Sequence, residues 1–102
     1  MVLRQHAVLR AISEPRRQEI LSILREAGQL SVGELAERVD VTQQSVSLHL
    51  KVLEDAGLVE ARRVGTRHIY AVRPEGFRPV QEFVAKFWNE QLAGLKRELD
   101  SK

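Results

Sequence analysis

The sequence predicts a mainly α fold with one small β-hairpin, a winged helix-turn-helix extended by a helix at each end. Three observations point to it. Two capped, apolar-striped segments, residues 31–39 and 42–56, are separated by only Asp40 and Val41. Two runs rich in Val, Ile, Tyr and Arg, 58–64 and 67–72, bracket Gly65-Thr66, which reads as a hairpin with a tight turn. Both ends of the chain carry apolar residues at helical spacing. The expected organisation is one domain over 1–102, comprising an N-terminal helix 1–12, a helix-turn-helix 31–56, a wing 58–72 and a C-terminal helix 79–100.

Each element has its own signal. Leu3, Ala7, Val8 and Ile12 form a loose stripe on the first helix. Ser13-Glu14-Pro15 reads as the next helix start, with a hydroxyl cap at Ser13, an acid in the first turn and an early proline. Ile20, Leu24 and Ala27 form its stripe with Leu21 beside them, and Gly28 ends it. Ser31-Val32-Gly33-Glu34 matches the capping box, in which a hydroxyl and a glutamate satisfy each other's backbone N–H groups. Leu35, Ala36 and Val39 are the expected buried face behind it. From Thr42 to Ala56, Val46, Leu50 and Leu53 recur at i, i+4 and i+7 until Gly57. Pro74, Gly76 and Pro79 read as a linker into the last helix.

Composition narrows the classes. The chain has 102 residues, three histidines, no cysteine and a formal net charge of +2. That length fits a single domain. Without cysteine there is no disulfide, no Cys-ligated zinc, no iron–sulfur cluster and no thiol switch, which fits a reducing cytoplasm. Apolar runs are too short to span a membrane, and MVLRQHAVLR lacks the apolar stretch of a secretory signal. No cofactor is expected. A net charge this small does not by itself imply nucleic acid, so the placement of the charges decides.

On the helix 42–56, taking Val46 as zero, Ser47 lies near 100°, Lys51 near 140°, Gln44 near 160° and Leu48 near 200° at about 100° per residue. These four residues face away from the buried stripe, with Thr42, Gln43 and Ser45 at the N-terminal end and His49 bordering the core near ~300°. Amides and hydroxyls there suit base edges, and Gln can pair bidentately with adenine. Leu48 suits a thymine methyl, Lys51 a phosphate, and the helix N-terminus adds N–H donors for phosphate. Between Ala61 and Pro74 stand Arg62, Arg63, Arg67, Arg73 and His68, with no acid. One-signed charge on a balanced chain is the footprint of a phosphate-binding wing. Arg62, Arg63 and Arg67 are its expected contacts, to backbone or minor groove. Arg16 and Arg17 read as surface residues that could add phosphate contacts.

Four of the five aromatics, Phe77, Phe83, Phe87 and Trp88, fall within residues 77–88. With Val80, Val84, Leu92 and Leu95 they form an apolar stripe that runs past the domain and needs covering. A two-fold dimer through this helix, closed by Leu3 of the first helix, is the simplest solution. Such a homodimer presents two reading helices to a pseudo-palindromic site in double-stranded DNA.

Residues 11–21 (AISEPRRQEIL), 30–39 (LSVGELAERV), 45–59 (SVSLHLKVLEDAGLV) and 67–72 (RHIYAV) resemble the ArsR/SmtB family of bacterial winged-helix repressors, over roughly residues 7–100. The resemblance implies a homodimeric repressor, often of its own operon and released by an inducer, with residues 42–56 as recognition helix and 60–70 as wing. Many members have a histidine after the serine; here Leu48 and then His49 follow Ser47. The family's paired-cysteine motif E-L-C-V-C-D-L reads Gln29-Leu30-Ser31-Val32-Gly33-Glu34-Leu35, so its thiolate sensor is gone. The other usual sensor needs Asp and His on the C-terminal helix, and residues 77–102 contain no histidine. The ending FVAKFWNEQLAGLKREL is similar instead to a metal-independent branch with a Phe-Trp pair, whose members are commonly associated with a lipid- or ligand-binding partner protein.

The rivals are weaker. His6, His49 and His68 lie on three elements without close spacing, so a regulatory metal would have to use His6 with carboxylates of a second subunit. Ser45 and Ser47 beside His49 are neighbours on a helix face rather than an oriented triad, which disfavours an enzyme. A protein-interaction winged helix would not need an acid-free wing. A-form RNA closes its deep groove to a helix.

Overall fold

The computed structural model describes residues 2–101, with side chains from Arg4 onward. Chain order is α1 (Val2–Ile12), α2 (Pro15–Ala27), β1 (Leu30–Ser31), α3 (Val32–Arg38), α4 (Gln43–Asp55), β2 (Val59–Val64), β3 (Arg67–Val72), a 3₁₀ turn (Pro74–Phe77) and α5 (Arg78–Asp100). This is a mainly helical winged helix-turn-helix with a three-stranded wing and a long C-terminal helix.

Local chemistry sets the boundaries. At α2 the cap is Glu14 rather than Ser13: its carboxylate accepts the Arg17 N–H. The reason is Pro15, which suits the first helical position and so makes the residue before it the cap. The Ser13 hydroxyl turns back and donates to the Arg10 carbonyl, closing α1. The capping box at α3 is complete, with Ser31 N–H donating to Glu34 at 2.8 Å and Glu34 N–H to the Ser31 hydroxyl at 3.2 Å. Thr42 caps α4 by accepting the Ser45 N–H at 3.1 Å.

The sheet order is β1-β3-β2, antiparallel throughout. The short strand β1 carries no sequence signal of its own, because two residues are too few to alternate. Leu30 pairs with Tyr70 and Ser31 with Ile69. Val64 faces Arg67 across Gly65-Thr66, and Gly65 has φ +64° while Thr66 stays negative. That is the II′ pattern, which requires glycine at its first central position.

The core draws on α1–α4, β1 and the start of the wing. Val8, Ala11, Ile20, Leu24, Leu35, Val46, Leu50, Leu53, Leu58 and Val59 are essentially inaccessible, with Leu30 and Val39 nearly so. Two expected apolar positions, Ala7 and Ala27, are exposed instead, while Ala11 takes the buried place on α1. The presumed linker 74–79 is packed structure. Gly76 is buried, and a Cβ there would run into the Gly57 carbonyl, lying 2.7 Å from its carbon and 3.3 Å from the Leu58 Cα. This close backbone approach seats the 3₁₀ turn on the loop joining α4 to β2.

From that seat α5 projects. Its 23 residues span about 34 Å at 1.5 Å each, none is buried, and the molecule measures 62 × 27 × 24 Å. The radius of gyration is 17.4 Å, against roughly 13 Å for a compact chain of this length.

Candidate nucleic-acid interface

With Val46, Leu50 and Leu53 locked in the core, the opposite face of α4 is held outward. Gln43, Gln44, Ser47, Leu48 and Lys51 are exposed, Leu48 at 66%. Among the described residues Gln43, Gln44 and Ser47 make no side-chain hydrogen bond within the chain. Their donors and acceptors therefore face solvent unengaged. Lys51 lies 3.4 Å from Asp55, an exposed i, i+4 pair of little strength. Thr42 and Ser45 sit at the N-terminus, where the Thr42 hydroxyl is engaged by the cap and Ser45 is half-buried.

His49 is turned inward. It packs against α2, with Nδ1 3.3 Å from an Arg17 guanidinium nitrogen and 3.9 Å from Glu14. Arg17 is not a surface residue free for phosphate: it also donates to the Ala11 carbonyl at 2.6 Å and the Arg10 carbonyl at 3.3 Å. It thus closes the end of α1 and ties α1 and α2 to α4. The contact spans 32 positions, and neither residue's type announces it. Arg16 pairs with Glu19 at 3.0 Å.

The wing's basic residues divide by register. Directly paired residues share a face of a sheet and alternate along each strand. Arg63 and His68 are partners, on the face whose Tyr70 and Val72 pack against the core. Arg62 and Arg67 belong to the opposite face. All four are exposed, yet the arginines are not equally free. Arg62 donates to the Gln29 side chain at 2.7 Å, and Arg67 forms an ion pair with Glu34 at 3.0 Å. Arg63 folds onto the Gly65 carbonyl at 3.2 Å. Arg73 lies at the foot of the wing, 3.4 Å from the Gly57 carbonyl. A count along the chain finds no acid in this stretch; the fold delivers one from α3.

Glu34 is the best-held carboxylate here. The Ser31 backbone N–H, then its hydroxyl, then the charges of Arg67 and Arg38 keep its carboxyl below the ordinary carboxylate range. Because its folded value lies below its unfolded one, the stability it contributes is present at neutral pH and lost as pH falls through that lowered value. Urea denaturation across an acid pH series should show this loss, and Glu34→Gln should flatten it.

On α5, Phe83, Val84, Phe87, Trp88, Leu92, Leu95 and Leu99 are exposed, with Phe87 at 62% and Trp88 at 61%. Phe83 and Phe87 meet edge-on, centroids 5.3 Å apart. Val80 is half-buried and, like Phe77, packs on its own domain, rooting α5 there. The side chain of Leu3, also expected at the interface, lies outside those described. His6 is exposed on α1, and no group of three His, Asp or Glu side chains able to hold a metal gathers among the described residues.

A family model described as a helix-turn-helix domain matches residues 12–62. The HTH-type transcriptional regulator Rv2034 of Mycobacterium tuberculosis is 38% identical over 91 residues, 89% of this chain and 84% of that protein. The solved structure of an ArsR-like transcriptional regulator from Rhodococcus sp. RHA1 aligns with a TM-score of 0.75 at 30% identity, covering 94% of this chain and 92% of that one. The homodimeric winged helix-turn-helix DNA-binding domain of Mb0332 from Mycobacterium bovis, described as a possible ArsR-family regulator, aligns with a TM-score of 0.70 at 31% identity, covering 89% and 83%.

Proposed function

Since this chain belongs to the ArsR family of DNA-binding transcriptional regulators, we propose that it is a homodimeric repressor of its own or a neighbouring operon. The observation that carries the reading is the outward face of α4, where Gln43, Gln44 and Ser47 are exposed with unengaged donors and acceptors behind a fully buried stripe. Such a face matches base edges in the major groove. Leu48 would meet a thymine methyl, Lys51 and the α4 N-terminus phosphates, and Arg63 at the wing the adjacent backbone or minor groove. The apolar stripe of α5, paired with that of a second copy, would set two such helices about 34 Å apart, one DNA turn. No thiolate sensor exists in a chain without cysteine, so the signal that releases it would act elsewhere.

The test is affinity for DNA upstream of its own coding sequence, against random duplex, at several salt concentrations. Specific binding on the order of 10³-fold tighter than random, falling steeply with salt, is expected. Equal affinity for both duplexes overturns the reading. Within it, Gln44→Ala or Ser47→Ala should relax base preference, each losing about 1–3 kcal/mol of discrimination at one position. A panel of single-base operator variants measures this, and a uniform loss across the panel would contradict direct readout.

A further inference from the structure

We propose that Glu34 is a positioning residue that holds Arg67 away from DNA phosphate, so that the wing's charge toward DNA is set by an intrachain carboxylate. The inference rests on the DNA-binding reading above and refines which wing residues take part.

The geometry makes the pairing a consequence of topology. Strand β1 covers β3 only at Ile69 and Tyr70. Toward the wing tip the edge of β3 is open, and the chain leaving β1 becomes the first turn of α3, which packs on β3 there. Glu34, three residues past Ser31, then meets Arg67, two residues before Ile69, at 3.0 Å. Glu34 is not a loose surface carboxylate. Its Oε1 accepts the Ser31 N–H at 2.8 Å and lies 3.0 Å from an Arg67 guanidinium nitrogen, so the capping box fixes the rotamer that the ion pair needs. Fixing one partner in advance removes much of the entropy cost that weakens ordinary surface pairs. Gln29 does the same for Arg62 from the opposite end of β1, at 2.7 Å. The start of the helix-turn-helix thus grips one face of the hairpin and leaves Arg63 and His68 on the other, with His68 joining Arg63 as a wing contact.

A glutamine at 34 is the discriminating variant, because it keeps the acceptor that the capping box needs and removes the charge. In the full-length protein, Glu34→Gln should release Arg67 to a phosphate. With two wings per dimer, the slope of log affinity against log salt should steepen by about 1.8, a further ~12-fold loss of affinity between 50 and 200 mM salt. Arg67→Ala alone should leave the wild-type slope unchanged, and Arg63→Ala, lost from both wings, should flatten it by about 1.8. The double variant Glu34→Gln/Arg67→Ala should return to the wild-type slope.

If Arg67→Ala flattens the slope, Arg67 already contacts phosphate and the inference fails. It fails equally if Glu34→Gln leaves the slope unmoved, or if the double variant stays steep, which would mark a general charge effect. These slopes can be read on random duplex. They therefore separate from the upstream-versus-random comparison, whose failure would overturn sequence-specific repression instead.

Discussion

Gly76→Ala should cost the domain about 3 kcal/mol or more, with urea midpoints at fixed protein concentration showing the loss. Overpacking a core ordinarily costs about 1–3 kcal/mol because side chains shift to admit the new atoms. Here the obstacle is backbone: the new Cβ meets the carbonyl of Gly57 and the Cα of Leu58. Neither can move alone, since Leu58 is fully buried and its carbonyl accepts the Arg73 N–H at 2.8 Å. Against a typical stability of about 5–15 kcal/mol, that loss leaves a marginal fold and lowers Tm by roughly 12 °C or more in a domain of this size. Gly94→Ala on α5 is the control. Its Cβ would find only the tip of Arg97 at 4.0 Å, and the gain in helix propensity should stabilise by up to about 1 kcal/mol. Equal effects at the two glycines would refute the packing argument.

The second large effect concerns assembly. Trp88→Glu combined with Leu95→Glu should give a monomer by analytical ultracentrifugation while the domain keeps its fold. Both side chains are more than half exposed in the single chain, so the substitution removes nothing from the core. In a two-fold interface each introduced carboxylate appears twice and is desolvated against apolar surface. Loss of the second reading helix should then weaken operator binding by about 10²–10⁴-fold, the range that separates two linked sites from one. Truncation before Phe83 should act likewise. A double variant that remains dimeric would move the interface off α5, and a monomer with undiminished operator affinity would remove the need for a dimer.

Much of this was legible along the chain because its signals are local. Ser31 and Glu34 cap α3 through residues three apart, and Val46, Leu50 and Leu53 mark one helix face by spacing alone. Gly65 reports a turn whose φ other residues resist. The errors share one cause. Ser13 lost the cap to Glu14 because Pro15 dictated the register. Gly76 read as linker because burial by a distant backbone leaves no periodic trace. That Val80 also roots α5 on its own domain was not legible, because the stripe of α5 is continuous and only the seat of the 3₁₀ turn shows where the domain ends. Among candidate contacts, the exposure of Gln44, Ser47 and Leu48 and the core-bordering place of His49 followed from helical geometry, whereas its partner Arg17, 32 positions away, did not.

By itself the sequence determined the winged helix-turn-helix, the polar face of its fourth helix, the excess of arginine in its wing and the absence of any thiolate sensor. Those properties depend on composition and on neighbours within about four residues, where backbone geometry is strict. Only the tertiary structure decided which of those charges are free. Ion pairs and hydrogen bonds form between side chains a few ångströms apart whatever their separation in sequence. Glu34 and Arg67 stand 33 positions apart and Gln29 and Arg62 also 33, so their partnership exists only once β1 has paired with β3.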